Sequence, residues 1–73
     1  MNAAVTEHDR AGAVEAFDAD RGIGVVVDEG GEHFAFHCTA IADGTRDIAV
    51  GTRVKFAVTP GLGRWEASAV TPA

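Results

Sequence analysis

Gly, Pro and Asp interrupt this chain about every ten residues from Gly12 onward, and the runs between them are short and rich in Val, Phe and Ala. Nowhere does apolar spacing persist with a helical period. That punctuation constrains the fold more than any other feature. It predicts a small all-β barrel or sandwich. "GAVEAF" (12–17) is the first run, closed by "DADRG". "GIGVVV" (22–27) is the second, closed by "DEGG", a hairpin turn. "EHFAFHC" (32–38) is the third and "TRVKFAV" (52–58) the fourth. "TPGLG" (59–63) turns the chain into the fifth, "RWEASAV" (64–70). A longer connection, "TAIADGTRDIAVG" (39–51), follows the third run, with a helical turn near "TAIA".

Side chains alternate across a strand, so each run also predicts an inner face. Phe34 and Phe36 fall on one side of the third run, with His33, Ala35 and His37 on the other. In the fourth, Val54, Phe56 and Val58 face inward, and Arg53, Lys55 and Ala57 outward. The expected core is Val14, Val26, Phe34, Phe36, Ile41, Val54, Phe56, Val58 and Val70. Residues 1–11 carry no period and read as a frayed tail, which leaves 12–73 as the single domain.

With 73 residues the chain has room for one domain with a limited core. Its lone cysteine, Cys38, forms no internal disulfide and suits a reducing compartment. No apolar run approaches the ~18 residues of a membrane span, and "MNAAVTEHDR" lacks the apolar centre of a secretion signal. A cytoplasmic protein without a membrane partner is expected. Six Lys and Arg stand against eleven Asp and Glu, a net charge of −5. That balance argues against tight, nonspecific binding of polyanions, whose affinity comes largely from phosphate contacts.

The order of these runs resembles a cold-shock domain, and the resemblance spans about residues 12–72. "GAVEAFDADRGIGVVV" is similar to the family's opening of Gly, Val, a Trp-Phe-Asn triplet and Lys-Gly-Phe-Gly-Phe-Ile. "HFAFHCTAI" is similar to its second motif, "AVGTRVKFAV" to its Gly-x-x-Val-x-Phe run, and "ASAVTP" to its end. The resemblance implies an all-β, five-stranded, antiparallel OB-type barrel. It also implies binding of single-stranded RNA or DNA on aromatics of the second and third strands, in a regulatory or RNA-chaperone-like setting.

Carried over position by position, that platform is sparse. Ala16 stands at the stacking Trp, and Phe17 matches the next aromatic. Arg21 keeps a basic charge. Ile23 and Val25 occupy the two ring positions of the first motif. Ala35 replaces the key Phe of the second, His37 keeps its His, and Cys38 replaces the Phe after it. Arg46 keeps a charge in the long connection. The family places small residues inward and a Phe outward on the third strand, whereas Phe34 and Phe36 here alternate inward around Ala35. Ring volume has moved from the binding face into the core.

Stacking contributes ~1–3 kcal/mol per base, so four or five missing rings remove a gross ~4–15 kcal/mol. Nonspecific binding totals only ~5–8 kcal/mol. Trp65, beside Arg64 after the turn between the fourth and fifth strands, is the best compensator, because OB folds use that loop for ligands. The other reading of Trp65 is a ring plugging one barrel end. The candidate nucleic-acid-binding set is Phe17, Arg21, Ile23, Val25, His37, Arg46, Arg64 and Trp65. The rival reading takes Ile23, Val25, Val27, Ala16 and Ala35 as an apolar patch for a protein partner or homodimer.

Neither a cofactor nor catalysis is expected. His33 and His37 lie ~13 Å apart on an extended strand, too far to share one zinc. "DADRGIGVVVDE" mimics a calcium loop, but Ile23 stands where Gly is needed. Ser68 has no partner in its strand, and Cys38 should face away from His37. Gly22-x-Gly24 has no helix after it to bind phosphate and reads as a sharp barrel bend.

Overall fold

The computed structural model describes residues 7–42, 44, 47–61 and 63–73, with side chains from Arg10 onward. Five strands form, β1 (Glu7–Asp18), β2 (Ile23–Asp28), β3 (His33–His37), β4 (Arg53–Pro60) and β5 (Trp65–Pro72). They close into a barrel in the order β1-β2-β3-β5-β4, with β4 returning to β1. Neighbours run antiparallel except at the seam between β3 and β5, which is parallel at Ala35 and Glu66. A bridge from Ile41 to Val70 extends the seam.

β1 begins at Glu7, earlier than the first apolar run, so residues 7–11 are strand rather than tail. Residues 1–6, the rest of the expected tail, lie outside the described residues. One partner cannot account for the length of β1. Gly12 to Asp18 pair with β2, while Glu7 to Ala13 pair with β4. Backbone hydrogen bonds to β4 recruit the polar stretch "EHDR", which has no apolar period to announce it.

Every residue of the expected core is buried, and Ala57 and Ala67 join them. Ala57, expected to face outward, is only 3 % exposed, yet it stays outside the cluster that Phe56 and Val58 join. The β4–β5 register shifts between Lys55 and Ala57, with the extra residue on β5 between Ser68 and Thr71, where Ala69 adopts φ +51. Phe34 and Phe36 point inward as expected, at 4 % and 2 % exposure. Their rings pack on neighbours: Phe34 lies 5.8 Å from Phe56, and Phe36 5.9 Å from Phe17.

The turns are built from carboxylates and glycines. Asp18 Oδ1 accepts from the N–H groups of Asp20 and Arg21. Gly22 follows at φ +68, a left-handed conformation that suits glycine. A Cβ on Gly24 would sit 2.5 Å from Phe36 Cζ, so the bend there requires a bare Cα. In the β2–β3 hairpin, Asp28 Oδ1 accepts from Gly30 and Glu32 N–H, each at 2.9 Å. A single 3-10 turn, Cys38–Ala40, follows β3, with His37 as its N-cap. The chain therefore leaves the strand at His37. Cys38 Sγ comes within 3.8 Å of His37 Nδ1, contrary to the opposite-face expectation for the pair. Among the described residues no helix is long and apolar enough to cross a membrane.

Candidate nucleic-acid interface

Strand register arranges the outer face of β1, β2 and β3 in rows. Asp18, Ile23 and His37 form one row. Ala16, Val25, Ala35 and Glu66 form the next, and Ala13, Val27 and His33 the third. A bulge between Val14 and Ala16 keeps Val14 in the core and leaves Glu15 and Ala16 exposed. The face is a shallow aliphatic floor, with Ile23 a large hydrophobic side chain open to solvent on it, at 46 %.

At the seam this floor deepens into a cleft of about 200 Å³, lined by Ile23, Ala35, Phe36, His37, Arg64 and Glu66. Three expected site residues, Ile23, His37 and Arg64, thus meet in one place, with Val25 in the adjoining row. The His37 ring is steadied by Thr39, whose Oγ1 lies 3.1 Å from Nδ1. Arg21 stands beside the same face, exposed and 3.9 Å from Asp18. His33 Nε2 engages Glu15 at the far row.

Two further expected site residues are not among the lining of that cleft. Phe17 is half-buried, and one face of its ring packs against Phe36. Trp65 does not share the cleft of Arg64. It is 49 % exposed and lines a second cleft of about 230 Å³ with Arg10, Glu32, Phe34 and Val58. Arg64, the residue before β5, lines the outer cleft with Glu66, whereas half-exposed Trp65 lines the second cleft beside Phe34 and Val58. Arg46 lies outside the described residues.

The second cleft is electrostatically occupied. The Arg10 guanidinium lies 5.3 Å from the centre of the Phe34 ring. It donates to Asp28 Oδ2 at 3.0 Å and approaches Glu32 at 3.6 Å. The Asp28 carboxyl is held below its ordinary value, first by the Glu32 N–H, then by Arg10 and the Gly30 N–H, against an opposing effect of burial.

Sequence reasoning overlooked Glu66. Alternation from Arg64 along β5 was the available signal, but only the parallel seam shows that this face meets Ala35. Among the described residues no group of three or more His, Cys, Asp or Glu side chains is placed to hold a metal ion.

The five-stranded closed order and the outer face of β2 and β3 accompany a direct sequence finding. The family model of the 'Cold-shock' DNA-binding domain matches residues 10–73. The chain belongs to the cold-shock domain family. No curated protein matches it. Nucleic-acid binding is the general function of the cold-shock domain, which is not a known enzyme family. In this cold-shock domain the outer face of β2 and β3 is mostly aliphatic, with Arg21, Arg64, His33 and His37 among the described residues beside or on it.

Proposed function

We propose that this cold-shock domain binds single-stranded RNA or DNA weakly, through the outer face of β2 and β3 and the start of β5. The observation that carries this reading is the joint cleft of Ile23, His37 and Arg64 on that face. Flat aliphatic side chains at Ile23, Val25 and Ala35 offer apolar contact to a base without the quadrupole of a ring. Arg21 and Arg64 supply the cations that a phosphate backbone needs. Glu15, Asp18 and Glu66 on the same side oppose it, which holds the affinity down.

Titration of labelled oligo-dT or oligo-U at two salt concentrations tests this. Each phosphate contact to a single strand adds ~0.7 to the logarithmic salt slope, so one or two contacts weaken binding about three- to sevenfold for a fourfold rise in salt. Saturable binding at low salt with that dependence is expected. Absence of binding at low salt rejects the reading.

The aliphatic rows support a second reading. Ala13, Ala16, Val25, Val27 and Ala35 lie together with half-exposed Ile23, a patch suited to a protein partner or a second copy. Concentration-dependent sedimentation with no oligonucleotide shift would select it.

A further inference from the structure

We infer that the cleft at the β3–β5 seam is a single-base pocket that selects guanine over the pyrimidines, with Glu66 as the residue that decides. The inference rests on the proposed strand-binding role of this face and names the base that one part of it takes.

Stacking is tolerant of sequence because every base has a π-face. Where rings are few, base choice passes to hydrogen-bonding groups. The cleft holds two charged groups, the Arg64 guanidinium and the Glu66 carboxylate. They lie two residues apart where the β4–β5 turn enters β5, roughly 6–7 Å along an extended backbone. Among the described residues neither makes an ion pair, with each other or with another side chain. Glu66 is half-buried, and its carboxylate lies over the bare Cα of Gly61 in the β4–β5 turn. It is therefore an acceptor set at the wall of a cleft, rather than one end of a surface salt bridge.

A carboxylate only accepts, and a guanidinium only donates. The ligand that satisfies both presents adjacent donors to one and acceptors to the other. Guanine does so: N1–H and the N2 amino group lie side by side, and O6 and N7 form the acceptor pair that arginine commonly reads. Uracil and thymine offer a single N3–H flanked by two carbonyl oxygens, which a carboxylate repels. Cytosine and adenine each place one amino donor beside a ring-nitrogen acceptor. The floor of Ile23, Ala35 and the edge of Phe36, with His37 at the side, takes the plane of the base. The volume suits one base rather than an extended ligand.

The test uses the full chain and short labelled strands. Anisotropy is measured at low salt for an all-dT heptamer and for heptamers with one central dG, dA, dC or deoxyinosine, on the native protein and on Glu66→Gln. A lone guanine finds the cleft because the strand is free to slide. The dG strand is expected to bind about tenfold tighter than all-dT. Deoxyinosine, which keeps N1–H and lacks the amino group, falls between them. On Glu66→Gln the dG preference shrinks to within about twofold, while dT binding holds or strengthens because a negative charge has left the interface. The retained dT binding shows that the variant is folded. Equal affinity for dG and dT on the native protein overturns the inference and leaves the strand-binding role standing, as does a preference that survives Glu66→Gln. Failure of every strand to bind overturns both.

Discussion

Phe17 lies nearly parallel to Phe36, with ring centroids 5.9 Å apart and planes inclined by 18°. One face of the Phe17 ring is thereby covered by the barrel. Phe36 is at the same time the ring edge beneath the seam cleft. The pair links the packing of β1 on β3 to the floor of the candidate interface.

Phe17→Ala should therefore act on stability before it acts on binding. Losing a half-buried ring and its stacked contact costs about 1–3 kcal/mol. Urea denaturation should show a lower midpoint, while the folded variant keeps its oligonucleotide affinity within about threefold.

Gly24→Ala should be more disruptive than a surface glycine change. The new methyl would stand 2.5 Å from Cζ of the buried Phe36 and 2.9 Å from the backbone oxygen of Ala16, which cannot swing aside. Overpacking of this kind costs about 1–3 kcal/mol, read as a fall in the denaturation midpoint.

Asp28 should give the barrel part of its acid sensitivity. Its folded pKa is lowered from 3.8, so its contribution is complete above that value and is lost as pH falls below it through the folded pKa. Asp28→Asn should lower the thermal midpoint near neutral pH, because one carboxylate caps the hairpin and meets Arg10. The difference between native and variant should narrow in melting curves taken at progressively more acidic pH.

Restoring rings should restore affinity. Ile23→Phe and Val25→Phe place aromatics on the outer face without entering the core. Each should tighten binding to oligo-dT by roughly tenfold, since one stacked base contributes ~1–3 kcal/mol. Anisotropy titration measures the gain, and an unchanged affinity would show that the strand runs elsewhere.

Trp65 should be dispensable for the strand. It shares its cleft with Arg10, Glu32, Phe34 and Val58, on the other side of β5 from Arg64. Trp65→Phe should leave oligonucleotide affinity within about twofold in the same titration.

The sequence by itself determined where strands lie and which of their faces is apolar. Val54, Phe56 and Val58, like Phe34 and Phe36, declare an inner side because strand geometry has a period of two residues, and burial follows from that period. Asp18 and Asp28 announced their turns for an equally local reason, a carboxylate reaching N–H groups a few residues on.

Only the tertiary structure decided what depends on pairing between distant strands. The polar start of β1 is strand because β4 hydrogen-bonds to it. Ala57 is buried although it stands between the inward Phe56 and Val58 and outside their cluster, which alternation along β4 does not announce. Arg10 settles on Phe34 and Asp28, far along the chain from either. Arg64 and Trp65, neighbours in sequence, end in different clefts, and Glu66 enters the candidate site because β5 closes against β3 in parallel. Periodicity along one strand tells which way a side chain points. It carries no information about which strand will lie beside it, and an interface across a barrel seam is made of that second relationship.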